Sequence, residues 1–185
     1  MDPAVRSVQV DRMLRPAAWV DDEYFYQQWN FSGSAAGGIN AEAAWDASTG
    51  SDVVVAVLDT GVVPHPDLDA NMLEGYDFIT DAWVSRRATN DRVPGAFDYG
   101  DDSEGNDTET DDCGPYAGPS SSSWHGMHVG GTVAEVTNNA IGVAGVAHNA
   151  KVLPVRVLGR CGGYTSDIAD AVTWASGGSV AGVPD

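Results

Sequence analysis

Val53-Val54-Val55-Ala56-Val57-Leu58-Asp59-Thr60-Gly61 is the stretch whose reading decides the fold. Six apolar, mostly β-branched residues in a row predict a strand buried on both faces, as in parallel sheets covered by helices. The run ends on a carboxylate, and Thr60 and Gly61 turn the chain away at once. In an open α/β sheet the crevice beyond the carboxyl ends of the strands carries the chemistry, so Asp59 stands where a catalytic group is expected.

Working outward, Lys151 to Leu158 reads as a second apolar strand and Gly75 to Ile79 as a third. Ser123 to Val136 predicts a helix rich in glycine, although each interior Gly costs roughly 1 kcal/mol relative to Ala, which implies close packing. Ile168, Ala171, Val172 and Ala175 recur at helical spacing from Asp167 onward, and Ile39 to Trp45 suits a short helix ending near Gly50. Strands alternating with helices predict a parallel sheet flanked by helices, an α/β/α sandwich. Ala17 to Phe31, aromatic and acidic, reads as an arm laid on the core. Met1 to Pro16 reads as a lead-in, with Val5, Val8 and Val10 spaced for a short edge strand.

Composition bounds the function. At 185 residues with 43% hydrophobic content, the chain holds one domain's worth of core. A net charge of −18 argues against nucleic acid or an anionic membrane as partner and suits divalent cations or a salty medium. No apolar run approaches the roughly 18 residues of a membrane span, and Met1 opens no signal peptide, so any targeting segment is expected to be already removed. Cys113 and Cys161 are either a disulfide or two buried thiols; a bridge would contribute roughly 4 kcal/mol by chain entropy. Between Arg86 and Ser123 lie Asp98, Asp101, Asp102, Glu104, Asp107, Glu109, Asp111 and Asp112. Such a run is either a solvated loop or neutralised by bound cations, and it matches no EF-hand spacing.

An aspartate closing a strand and a histidine opening a helix are two parts of a nucleophilic triad: the carboxylate holds the imidazole in one tautomer, and the imidazole takes the proton of a serine hydroxyl. Val57 to Gly61, His65-Pro66-Asp67-Leu68, His125 to Thr132 and Asn139 to Ala147 together resemble the subtilisin-like serine protease (subtilase) family. The acidic, cysteine-containing insertion resembles that family's secreted bacterial branch, which implies an extracellular enzyme.

The resemblance implies Asp59 and His125 as catalytic residues. It implies a calcium site made by Asp67, Asn139 and the carbonyls of Thr137, Ile141 and Val143, with Asp22 contributed by the arm; these are the hard oxygen ligands that calcium prefers. Arg160-Cys161-Gly162 matches the edge strand that pairs with a peptide substrate, and Tyr164 the wall of a distal apolar subsite. A Cys113–Cys161 disulfide, an inhibitory propeptide ending within residues 1–16, and a catalytic part over residues 17–185 are likewise implied.

Met127 and Gly130 depart from the small hydroxyl residue and the alanine that the family usually carries. His128, one turn after His125, reads as a core or supporting histidine because no third ligand follows at zincin spacing. The family's nucleophile lies in a Gly-Thr-Ser segment that does not occur here, nor does the oxyanion asparagine. Loss of the serine costs about 10⁶ in kcat, so this chain reads as the first portion of the domain, inert until the C-terminal remainder is supplied. Two other readings remain. Asp59-Thr60-Gly61 is also the signature of aspartic proteases, which need a second carboxylate to share a proton. Alternatively, the chain is a noncatalytic calcium-binding or interaction fragment.

Overall fold

The apolar runs pair as a four-stranded sheet in a computed structural model, which describes residues 20–102, 113 and 120–185. The Met1–Pro16 lead-in and most of the acidic run lie outside the described residues. The strands are β1 (Val54–Asp59), β2 (Tyr76–Asp77), β3 (Val93–Pro94) and β4 (Lys151–Arg156), in the order β1-β4-β2-β3. The β1–β4 and β4–β2 pairs are parallel, whereas β3 runs antiparallel to β2, so the sheet is mixed rather than purely parallel. The helices are α1 (Ala41–Trp45), α2 (Ala82–Ser85), α3 (His125–Ala134) and α4 (Thr165–Ala175).

Strand alternation sorts the two faces. Val55 and Val57 of β1 and Val152 of β4 pack with Val129, Val133 and Ala134 of α3. Leu58, Leu153 and Val155 face the other way, toward Ile168, Ala171 and Trp174 of α4. Tyr76, Phe78 and Trp174 meet there with ring centroids 5.5–5.8 Å apart, within the range where edge-to-face contacts are favourable. The three layers are thus α3, sheet and α4, as the sequence implies.

Burial of the whole Val53–Leu58 run is not met: Val53 is 49% and Val54 56% exposed. The physical reason is position. Among the described residues β1 pairs only with β4, so it stands at the sheet edge, and α3 and α4 cover only its carboxyl half. The arm from Val20 to Phe31 contains two 3₁₀ turns, Phe25–Gln27 and Trp29–Phe31, and buries Val20 and Phe31 against Ala41 and Ala144. Gln28 makes two hydrogen bonds to the backbone of Ala144, 2.8 and 2.9 Å, which tie the arm to the loop after α3. Cys113 and Cys161 form a disulfide, so the buried-thiol alternative is set aside.

The glycines of α3 divide in purpose. A Cβ on Gly126 would stand 2.4 Å from Gly61 O and 3.1 Å from Asp59 Cβ, so glycine is what lets the helix start press on the end of β1. Gly130 has room, its nearest neighbour being 3.6 Å away, and the family's usual alanine would fit. His128 is exposed on the outer side of α3 rather than in the core.

Candidate active site

Asp59 is the last residue of β1 and Arg156 the last of β4, side by side in register. Both strands run parallel, so their carboxyl ends open on one crevice, and α3 enters it with His125 as its first residue. Asp59 is 8% exposed. Its carboxylate accepts a hydrogen bond from Thr60 N at 2.7 Å and lies 2.8 and 2.9 Å from His125 Nδ1. An ionised carboxylate can only accept, so Nδ1 carries the proton and Nε2 is left as the basic nitrogen. The His125 side chain is 62% exposed, and Nε2 makes no hydrogen bond among the described residues. The pair therefore presents a base, oriented from behind, to whatever enters the crevice.

The turn after Asp59 is held by a fully buried arginine. Arg156 Nε donates to Thr60 O at 2.9 Å, and its Nη1 donates to Asp77 Oδ2 and Ser85 O, each at 2.9 Å. Its guanidinium also lies 5.3 Å from the Tyr99 ring centroid. Buried charges persist only when paired, and Asp77 supplies the charge here, shared with Arg87. Val157 N and Leu158 N both donate to Asp59 O, so the segment leaving β4 starts against the Asp59–His125 pair.

That segment corrects one expectation. Arg160-Cys161-Gly162 is not an extended edge strand: Gly159 and Gly162 exchange two hydrogen bonds across a tight turn in which Cys161 has φ 63°. Arg160 N already donates to Val84 O at 2.9 Å, and its guanidinium lies over the Trp83 ring. Short-range pairing of Gly159 with Gly162 and the Cys161 disulfide outcompete extension. Tyr164 is 52% exposed at the start of α4, its hydroxyl 3.5 Å from Asp81 Oδ2.

Of the expected calcium ligands, Asp22, Asp67 and Asn139 are joined by hydrogen bonds at the loop after α3. Asp67 is fully buried; its oxygens accept from Asn139 Nδ2 at 2.8 Å and Val143 N at 3.1 Å. Asp22, brought in by the arm, accepts from Asn138 N and Asn139 N. Asn138, Ala140 and Gly142 all have positive φ, which winds the loop around the two carboxylates. Among the described residues no donor reaches the carbonyls of Thr137, Ile141 or Val143. Glu135 closes the group: burial, with the charges of Asp67 and Asp22, pushes its carboxyl up to about 7. Asp22 is raised as well, chiefly by burial. Unpartnered carbonyls beside crowded carboxylates are a donor set that fits a hard divalent cation. Among the described residues no three His, Cys, Asp or Glu side chains converge as metal ligands, so the fit rests on the carbonyls and the two aspartates.

Sequence reasoning missed the residues behind the pair. Thr60 reads as a mere turn residue and Asp98 as part of an acidic run that is solvated or cation-bound, yet both are buried, 3% and 1% exposed, and joined by a 2.8 Å hydrogen bond. Their separation of 38 positions leaves no local signal. Asp59 faces an imidazole rather than a second carboxylate, which is not the arrangement of an aspartic protease dyad.

A family model described as the Subtilase family matches residues 50–182. The "Extracellular protease" of Xanthomonas campestris pv. campestris is 54% identical over 183 residues, which are 99% of this chain and 30% of that protein. The "Extracellular basic protease" of Dichelobacter nodosus is 48% identical over 189 residues, 100% of this chain and 30% of that protein. Among solved structures, a protease of Pseudoalteromonas arctica superposes with a TM-score of 0.82 at 56% identity, covering 89% of this chain and 46% of its own. Fervidolysin from Fervidobacterium pennivorans, 23% identical with a TM-score of 0.53 over 86% of this chain and 20% of its own, shares the fold. The chain thus spans about 30% of the length of the curated relatives it matches.

Proposed function

Because this chain belongs to the subtilase family, we propose that it is the Asp- and His-bearing part of a subtilisin-type serine endopeptidase, cleaving peptide bonds in protein or peptide substrates. The observation that carries this reading is His125 Nδ1 held 2.8 Å from the Asp59 carboxylate, with Nε2 making no hydrogen bond among the described residues. In the reaction Nε2 takes the proton of a serine hydroxyl as that oxygen attacks the scissile carbonyl. The same proton then passes to the leaving amine as the tetrahedral intermediate collapses to the acyl-enzyme. Water, deprotonated by Nε2, repeats the sequence and frees the acid product. Asp59 stays ionised throughout and stabilises the imidazolium between these transfers.

The serine belongs to residues that follow Asp185. Two features support further chain packing here: the outer edge of β1, which pairs with no strand among the described residues and leaves Val53 and Val54 exposed, and a cavity lined by Leu153, Trp174 and Asp185. Calcium bound by Asp22, Asp67, Asn139 and the carbonyls of Thr137, Ile141 and Val143 would fasten the arm to the loop after α3. In this reading the turn at Arg160, Cys161 and Gly162, with Tyr164, contacts the substrate. An extracellular setting, supported by the names of the two relatives and by the disulfide, suits such an enzyme. Residues 1–16 would be the end of its propeptide.

The test is peptide hydrolysis by protein carrying the residues that follow Asp185. His125→Ala should lower kcat by about 10⁶ with KM little changed. Turnover at the parent rate in that variant would overturn the assignment.

A further inference from the structure

A helix start leaves four peptide N–H groups without an intrahelical partner. In α3 the helical residues among these are His125, Gly126 and Met127, since His128 N already donates to Trp124 O, and the residue at the cap, Trp124, is in the left-handed region at φ 50° and caps nothing with its side chain. Yet the first two N–H groups are satisfied, each by a hydroxyl oxygen. Ser123 Oγ accepts from His125 N at 3.2 Å, and Thr60 Oγ1 accepts from Gly126 N at 3.0 Å. Each hydroxyl donates its own proton to a carboxylate of one short loop: Thr60 to Asp98 Oδ2 at 2.8 Å, Ser123 to Asp101 Oδ2 at 2.7 Å. A hydroxyl whose proton is committed to an anion turns a lone pair toward the peptide N–H.

The two carboxylates are themselves anchored. Asp98 Oδ1 accepts from Gly100 N at 2.8 Å, and Asp101 Oδ1 from Ser123 N at 2.6 Å. Asp98 N donates to Val62 O, just past the end of β1. The geometry points to Asp98 and Asp101 as positioning residues for His125, acting through two carboxylate–hydroxyl–peptide relays that fix the first turn of α3 against β1. This inference rests on His125 being the general base. The backbone has no slack to absorb a loosened relay, because Gly126 already packs on Gly61 and Asp59. A displaced first turn therefore changes the His125–Asp59 geometry directly. The relays are unequal: Asp98 and Thr60 are buried, whereas Ser123 is exposed and water can replace its partner.

Asp98→Asn is the discriminating change. Gly100 N needs an acceptor and an amide offers one oxygen, so the amide Nδ2 turns to Thr60; the hydroxyl must then accept from it, and its proton loses the anion that turns its lone pair toward Gly126 N. In protein extended beyond Asp185, Asp98→Asn should lower kcat about 10- to 100-fold with KM within about twofold, because misplacement by about 1 Å costs up to 10²-fold. Thr60→Val should lose as much, and Thr60→Ser should restore most of it. The Asp98→Asn/Thr60→Val double variant should be no worse than either single change, since both break one relay. Asp101→Asn should cost less than about fivefold, because its site is wet. Additive losses, or a loss confined to KM, would overturn the positioning role.

Should the parent protein itself hydrolyse no peptide, the protease reading has failed and the relay is still read by NMR. Gly126 amide exchange should accelerate at least about tenfold, and the His125 Nδ1 proton resonance should shift, in Asp98→Asn and Thr60→Val but not in Thr60→Ser. Unchanged protection and an unmoved resonance would overturn the inference. If Asp98→Asn does not fold, the Thr60→Val and Thr60→Ser pair decides the same question.

Discussion

Glu135→Gln should stabilise the calcium-free protein, and increasingly so as the pH rises. In the folded chain the Glu135 carboxyl titrates near 7 against an ordinary 4.5, first because of burial and then because Asp67 and Asp22 add negative charge. The folded value is the raised one, so at acid pH both states hold the proton and the group imposes no penalty. Above an unfolded pKa of 4.5 the unfolded chain ionises first, and stability falls until the folded carboxyl also ionises near 7. A difference of about 2.5 units at 1.36 kcal/mol each sets a ceiling of roughly 3 kcal/mol, since Glu135 is only partly buried and solvent relaxes part of the cost. Glutamine keeps the shape and cannot ionise. Urea unfolding in EDTA should therefore show Glu135→Gln favoured by up to roughly 3 kcal/mol more at about pH 8.5 than at about pH 4.5. Excess calcium should shrink that advantage without abolishing it, because a cation beside Asp67 offsets the carboxylate charges and leaves the larger cause, burial, in place. An equal difference at both pH values in EDTA would refute the raised Glu135 carboxyl.

Two other substitutions probe the frame. Gly126→Ala introduces a Cβ 2.4 Å from Gly61 O, a contact the backbone can relieve only by moving α3; it should cost about 1–3 kcal/mol in urea unfolding and lower kcat far more than KM. Asp77→Ala leaves Arg156, fully buried, without its charge partner, and should cost about 3–5 kcal/mol, read as a lower thermal midpoint.

The fold was legible where burial is decided locally. The β-branched run into Asp59, the helical spacing from Ile168 to Ala175 and the glycine-rich stretch after His125 each specify an element on their own and set the three layers, whereas the Asp59–His125 pair was legible through the four motifs that resemble the subtilase family. Exposure of Val53 and Val54 was not legible, because strand neighbours depend on chain that a local pattern does not contain. The turn at Arg160 to Gly162 was missed because a disulfide and a Gly159–Gly162 pair, neither of them periodic, hold it closed. Asp98 and Asp101 were hidden for a different reason: a string of acids reads as solvated or cation-bound, and only the fold reveals that two of them face hydroxyls behind His125.

The central claim is that His125, oriented by Asp59, serves an activated serine. The most direct measurement is intact mass after treating protein extended beyond Asp185 with a fluorophosphonate, alongside the His125→Ala variant. One stoichiometric adduct, absent from the variant, is the predicted result. A folded protein that takes up no adduct, or a variant labelled as fast as its parent, would contradict it.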